Sequence, residues 1–305
     1  MHMSKIAGIG ANVLDTLYMV EKYPTEDTKM RADAVKTSGG GPCATGLVAA
    51  SRLGASCAFI GNISDDNGGR FLQEDFKRYG VDTNCVTIKH GYDTFCSCIW
   101  LAGESASRTC VFYKGNVPPT EIDDTAAAVI AQADILMVDG NDLAAAVRGA
   151  EIAKKSGTKV LYDAGGLYDG IEKLLPYADI LIPSEEFALG HTGEKVTENA
   201  AKVLFEAYSP EILVITQGKK GGIIYDGKTA ENYPSFLVDA VDSNGSGDVF
   251  HGAFAFAVTH GMSYQKACTF SSAVSALKCT RLGAREGVPT YNETIKFLKE
   301  RGMSV

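Results

Sequence analysis

Short continuous apolar runs recur along this chain at residues 6–10, 58–61, 135–138, 159–162, 179–182 and 212–215, and Ala-rich or amphipathic stretches fill the intervals. A strand that is apolar at every position must be buried on both faces. The alternation therefore restricts the chain to a mostly parallel sheet with helices above and below it. Helices are expected over residues 46–53, ending before Gly54, and around 69–79. Ligands of such sheets bind beyond the carboxyl ends of the strands. The 305 residues suffice for one large α/β domain or two small ones, and 45% hydrophobic against 22% charged residues argues against disorder.

Two segments, 14–36 and 92–113, break this rhythm. They are polar, β-prone and alternating, as in Thr94, Cys96, Cys98 and Trp100 against Phe95, Ser97 and Ile99, and no helical pattern follows them. They are expected to form a small separate sheet, a lid on the main domain. A pair of ordinary surface hairpins is the alternative.

A formal net charge of -8 argues against a general nucleic-acid binder, which normally carries a basic stripe, and leaves anionic substrates to a local site or a metal. No run reaches the length of a membrane-spanning helix and no signal pattern opens the chain, so no membrane partner and a cytoplasmic location are expected. The eight cysteines (Cys43, Cys57, Cys85, Cys96, Cys98, Cys110, Cys268 and Cys279) form no pair of CxxC motifs. Cys96-Ser97-Cys98 reads as one face of a strand rather than half of a zinc site.

The segment Asp242-Ser243-Asn244-Gly245-Ser246-Gly247-Asp248 runs straight into the apolar stretch 249–258, so a glycine loop opens a helix with Asp248 in its first turn. Unpaired N–H groups and the positive end of the helix dipole make such a start an anion site. A carboxylate beside it suits removal of a proton from a substrate hydroxyl while the loop holds a transferring phosphoryl group. The plain alternative is a helix cap and a tight turn.

Further glycines cluster in Ser38-Gly39-Gly40-Gly41-Pro42-Cys43-Ala44-Thr45, where a ligand could approach the backbone closely. Asp15, beyond the first strand and the Asn12 turn, should share that edge and could accept hydrogen bonds from two neighbouring hydroxyls, or simply serve the turn. Thr216-Gln217-Gly218-Lys219-Lys220-Gly221-Gly222 follows a buried strand and suits a nucleotide-phosphate loop or a β-hairpin equally well. Gly8-Ile9-Gly10 is not a dinucleotide fingerprint, because Val13 stands where the third glycine belongs and no helix signal follows. No GxxxxGK[ST] sequence is present.

Together these segments resemble the ribokinase-like (PfkB) carbohydrate kinases. Gly40-Gly41 with Ala44, Ala49 and Arg52-Leu53-Gly54 is similar to their first signature and Asp242 through Asp248 to their second. Thr216 through Gly221 is similar to their nucleotide segment, and Lys278 through Pro289 to their C-terminal end. Within the family the wording around Gly39, Gly247 and Ala276 resembles the sulfofructose-kinase-like branch. The resemblance implies a Rossmann-like, parallel-rich α/β sheet with helices on both faces plus a small β-sheet lid. It also implies transfer of the ATP γ-phosphoryl group to a sugar hydroxyl, Mg²⁺ bridging the phosphates, and a homodimer formed through the lid.

Carried over residue by residue, Asp248 matches the catalytic base, and Gly245, Ser246 and Gly247 the anion hole. Asp15, Asn12, Gly40, Gly41, Thr45 and Arg108 match the sugar side. Thr216, Gly218, Lys219, Gly221 and Ser184 match the nucleotide side. Glu185 is expected to act on Mg²⁺ through water, and Asp242 with the segment 283–287 lies where many members bind a monovalent cation such as K⁺. The chain departs from the family in Thr45 for Asn, in Ser184-Glu185-Glu186-Phe187 for N-x-x-E, and in Ser246 for Ala. It also has Gly140 where the sulfofructose branch has an arginine, leaving Arg108 or Lys114 as replacements. The sugar is accordingly expected to be a ketose such as fructose or a derivative. A nucleoside kinase using Phe95, Trp100, Phe112 and Tyr113 as a base slot, or a non-catalytic sugar sensor, are the alternatives.

Overall fold

Strands β1 (Lys5–Ile9), β2 (Val13–Val20) and β3 (Ala34–Gly40) open the chain and lead into α1 (Pro42–Leu53), β4 (Ser56–Ser64), α2 (Asn67–Arg78) and β5 (Val81–Lys89). There follow β6 (Cys96–Ala102), β7 (Ser107–Tyr113), α3 (Asp124–Gln132), β8 (Ile135–Val138), α4 (Leu143–Ser156), β9 (Lys159–Ala164) and β10 (Ile180–Pro183). The remainder comprises α5 (Glu185–Thr192), α6 (Thr197–Tyr208), β11 (Ile212–Thr216), β12 (Gly222–Tyr225), β13 (Ala230–Tyr233), α7 (Ser246–Thr259), α8 (Tyr264–Cys279) and α9 (Tyr291–Lys299). These elements come from a computed structural model that describes residues 4–304 except 105 and 106, two positions of the expected lid segment.

Nine strands form one sheet in the order β13-β12-β11-β10-β9-β8-β1-β4-β5. It is parallel from β11 to β5, and β12 and β13 add an antiparallel edge. Alternate residues of the central strands enter opposite cores. Ile6, Met137, Ile182 and Val214 pack with α1, α7 and α8 residues such as Leu47, Phe254 and Phe270. Ile9, Val138, Leu181 and Leu213 pack with Ile130, Ala146 and Leu204 on the other face. Each such side chain stabilises the fold by roughly 1.5–3 kcal/mol, which is why the strands read as unbroken apolar runs. Among the described residues no helix is long and apolar enough to cross a membrane.

The segments that broke the rhythm form a separate four-stranded sheet, β3-β2-β6-β7, with β2 and β6 parallel and both outer pairs antiparallel. Two boundaries differ from expectation. The third strand runs past residue 36 to Gly40, so the first two glycines of the expected loop are strand residues. Helix α1 then begins at Pro42 rather than at residue 46, because proline suits the first turn of a helix and Gly41, at φ 91°, turns the chain into it. Strand β5 lies at the sheet edge with a mixed exposure pattern, so Val81-Asp82-Thr83-Asn84 carries no continuous apolar signal.

Candidate active site

Helices α1 and α7 enter the same end of the large sheet, and two glycines let them touch. A Cβ on Gly252 would stand 1.9 Å from the Gly46 carbonyl oxygen, and one on Gly46 would stand 3.3 Å from that of Asp248. The start of α7 is thereby held against α1. Gly245, at φ 73°, turns the loop into α7, and Asp248 occupies the first turn as expected. A Cβ on Gly247 would meet nothing within 4 Å, so the loop faces open space there. Burial pushes the Asp248 carboxyl above the ordinary carboxylate range, against the opposing charges of His251 and Arg108.

Asp15 is brought to this point from the small sheet. Its Oδ1 accepts from Ser97 Oγ at 2.6 Å and its Oδ2 from Asn244 Nδ2 at 3.4 Å, so the second bond joins it to the loop before Asp248. Burial raises the Asp15 carboxyl, and the Ser97 hydrogen bond and the Arg285 charge oppose the rise. Gly40 must lack a side chain, since its Cβ would lie 2.0 Å from Asp15 Oδ2; that on Gly41 would lie 2.5 Å from the Ala11 carbonyl oxygen. Strand register puts Arg108 and Phe112 of β7 on the same sheet face as Asp15 and Ser97. Arg108 is exposed there.

Two buried polar atoms on this side, Asn12 Nδ2 and Thr45 Oγ1, have no partner among the described residues. Asn12 also borders a cavity of about 420 Å³ reaching Asn62, Thr94, Lys114 and Asn141. Phe95 and Phe112 pack against each other with ring centroids 5.8 Å apart, too close to admit a base between them. Lys114 Nζ donates to the Asn141 carbonyl at 3.0 Å.

Thr216, Gly218, Lys219 and Gly221 line a second cavity of about 350 Å³ together with Ser246 and Gly247 of the α7 loop. Strand β11 returns as β12 through a 3₁₀ turn at Gly218–Lys220, so this segment is a β-hairpin and a cavity wall at once. Ser184 instead caps α5, accepting from Phe187 N–H at 3.0 Å, and is joined to Thr216 by an isolated parallel bridge. Glu185 Oε1 accepts from Thr197 Oγ1 at 2.8 Å and Gln217 Nε2 at 2.6 Å, which holds its carboxyl below the usual range. Its Oε2 lies 3.9 Å from Lys220 Nζ.

Several residues that organise the site escaped the sequence reading. Asp139, at the end of β8, accepts from the N–H groups of Ala11 (2.8 Å), Cys43 (3.0 Å) and Asn141 (2.9 Å), pinning the β1 turn to the start of α1. Buried Arg285 donates to Gly40 O (2.6 Å), Asn12 Oδ1 (2.7 Å) and Asp75 Oδ2 (2.7 Å). His251 Nδ1 stands 2.7 Å from Gly247 O and 3.2 Å from Asp163 Oδ2, with Nε2 3.0 Å from Ile182 O. Asp242, by contrast, was expected at this site as a monovalent-cation ligand, and its Oδ1 accepts from Asn244 N–H and its Oδ2 from Gly283 N–H, both at 2.8 Å. The remaining cavity wall, Phe236, Leu237, Val238 and the α8 residues Ser272, Ser275 and Ala276, has no motif.

Residues 3–291 match the model of the pfkB family carbohydrate kinases. The chain belongs to that family. It is 31% identical over 266 residues to a ribokinase of Haemophilus influenzae, covering 85% of this chain and 87% of that protein. Mouse ketohexokinase is 27% identical over 290 residues, covering 92% and 97%. A crystal structure of a putative ribokinase from Agrobacterium tumefaciens superposes with a TM-score of 0.93 at 27% identity, covering 99% of this chain and 100% of the other. This PfkB-family chain is therefore an ATP-using carbohydrate kinase, a phosphotransferase whose acceptor is a sugar hydroxyl. None of these three proteins is named a sulfofructose kinase.

Proposed function

We propose that the chain phosphorylates a ketose such as fructose or a derivative, with Asp248 as the general base. The observation that carries the assignment is the hydrogen bond from Asn244 to Asp15, which ties the loop before Asp248 to the carboxylate best suited to paired sugar hydroxyls. Asp15, Gly40 and Gly41 bind the sugar, and the unpaired Asn12 Nδ2 and Thr45 Oγ1 supply further bonds to a polyol. The cavity beyond Asn12 receives the end of the sugar remote from the reacting hydroxyl, with Asn141 and Lys114 on its wall. The identity to ketohexokinase supports a ketose over an aldose only together with this room for a longer chain.

ATP occupies the cavity walled by Thr216, Gly218, Lys219 and Gly221, with its γ-phosphoryl group at the N–H groups of Gly245, Ser246 and Gly247. Asp248 takes the hydroxyl proton as the sugar oxygen bonds to the γ-phosphorus and the bond to the ADP oxygen breaks. Arg108 adds positive charge beside the transferring group. Mg²⁺, when bound with ATP, neutralises phosphate charge. Glu185 would hold it through water, since its carboxyl is kept ionised and Oε1 takes both of the hydrogen bonds given above, leaving Oε2 with Lys220 Nζ at 3.9 Å. The apolar row Val35, Val111 and Tyr113 on the outer face of the small sheet is the surface on which a homodimer would form.

The test is ADP release across a panel of ketoses, aldoses and nucleosides. Asp248→Asn should lower kcat by roughly 10²–10⁴-fold while ATP binding, followed with a fluorescent analogue, is retained. Near wild-type turnover in that variant would remove Asp248 from the chemistry, and preferential turnover of ribose or a nucleoside would overturn the ketose reading.

A further inference from the structure

The loop that carries the expected anion hole is held from behind by a buried ammonium group. Lys278, in the last turn of α8, has no exposed surface, and neither has the Asp242 side chain. Its Nζ donates to the carbonyl oxygen of Asp242 at 2.8 Å and to that of Asn244, and stands 3.7 Å from Asp242 Oδ2. One turn earlier on α8, Ser275 Oγ donates to the Ser246 carbonyl at 2.8 Å. The backbone returns the contact, because Val241 and Asp242 N–H groups both donate to Cys279 O.

Three oxygens converging on one buried positive charge is the environment a monovalent cation asks for. K⁺ is implied at Asp242 by the family resemblance, and the residues present do not fit it. The carbonyls of Asp242 and Asn244 are already spent on Lys278, and a second cation among the same oxygens would lie within a few ångströms of the ammonium in a medium that screens poorly.

We propose that Lys278 is the tethered cation of this kinase, and that catalysis therefore requires no K⁺ or other free monovalent cation. A trans peptide points its carbonyl and its N–H in opposite directions. Drawing the Asn244 carbonyl onto Lys278 turns the Gly245 N–H away from it, toward the open side of the loop, and the ammonium polarises that peptide. Lys278 is thus a positioning residue: it touches neither sugar nor nucleotide but fixes the donors that do. Facing it are Asp242 on its own loop, Cys279 on α8, and Asp248 and Arg108 across the site. The inference rests on the anion hole lying at Gly245 through Gly247, but its salt test does not.

The experiment compares the wild-type enzyme in tetramethylammonium salts with the same ionic strength of KCl. The expected result is a change in kcat and KM of less than about twofold, since nothing is left to bind; activation by K⁺ of about tenfold or more overturns the proposal. In Lys278→Ala, which empties the site, kcat should fall by roughly tenfold or more and K⁺ or NH₄⁺ should restore it saturably, raising Tm over the same concentration range. A folded Lys278→Ala that no small cation rescues in either readout refutes the role. If that variant does not fold, the wild-type salt comparison decides alone, and it would do so even if Asp248→Asn proved active.

Discussion

Gly252→Ala is the most informative single change in this molecule. An added Cβ would stand 1.9 Å from the Gly46 carbonyl oxygen, where ordinary contact begins near 3.4 Å, and both partners are helix backbone that cannot rotate aside. Helix α7 must withdraw from α1 by about 1.5 Å, or the helices must bend. Overpacking of this kind costs about 1–3 kcal/mol, which lowers Tm by about 2–4 °C for each kcal/mol in a chain of this size. Asp248 lies one turn earlier on the same helix face and moves with it, and a misplacement near 1 Å costs about 10²-fold in rate. Thermal melting and steady-state kcat should therefore fall together. Gly247→Ala separates the two effects. Its Cβ meets nothing within 4 Å, so Tm should hold while kcat drops because the new methyl enters the space of the phosphoryl group. Wild-type kcat and Tm in Gly252→Ala would refute the claim that close approach of α1 and α7 sets the geometry of the site.

Two further outcomes follow from the carboxylates. Burial raises Asp248, and a base works only when deprotonated, so kcat/KM should decline as pH falls through an apparent pKa above the usual carboxylate value; a profile flat down to pH 5 would contradict this. Ser97→Ala removes a 2.6 Å hydrogen bond that opposes the rise in Asp15, so the Asp15 carboxyl should climb further and the sugar KM should increase by about tenfold with a smaller change in kcat. An unchanged KM at neutral pH would take Asp15 out of sugar binding.

What the sequence revealed and what it hid divide along a physical line. Parallel central strands were legible because Ile212 through Ile215 are buried on both faces and carry no polar residue, and in the counterparts at 159–162 and 179–182 only the first residue is polar. The glycine loops were legible because close approach forbids a Cβ, as at Gly40 against Asp15, whereas the helix glycines Gly252 and Gly46, which touch each other, were not singled out. Strand β5 was not, since an edge strand with Asp82 and Asn84 looks like loop. Nor was the extension of β3 to Gly40, because glycine carries no side-chain alternation to read. The clamps were hidden for another reason. Asp139 and His251 act through backbone groups far away in the chain, and Asp163 through the His251 ring, and a lone polar residue in an apolar stretch does not announce which group it will meet.

The two buried cations explain how an acidic chain can serve a phosphate-transferring site. Arg285 and Lys278 are both fully buried, and each clamps one of the two loops that face the substrate: Arg285 holds Gly40 O and Asn12 Oδ1, and Lys278 holds Asp242 O and Asn244 O. Each has its own carboxylate, Asp75 at 2.7 Å and Asp242 at 3.7 Å, so neither charge is left alone in the interior. Their fields still reach the site. The Arg285 charge lowers Asp15 and the Lys278 charge lowers Asp248, each against a burial that would otherwise favour the neutral acid. Without them two carboxylates, each raising the other's cost of ionisation, would face incoming phosphates with only helix N-termini and Arg108 to offset the charge. The net charge of -8 is a sum over the whole chain and says nothing of placement, and the cations that make the site workable sit behind its loops, where they need no exposed basic patch.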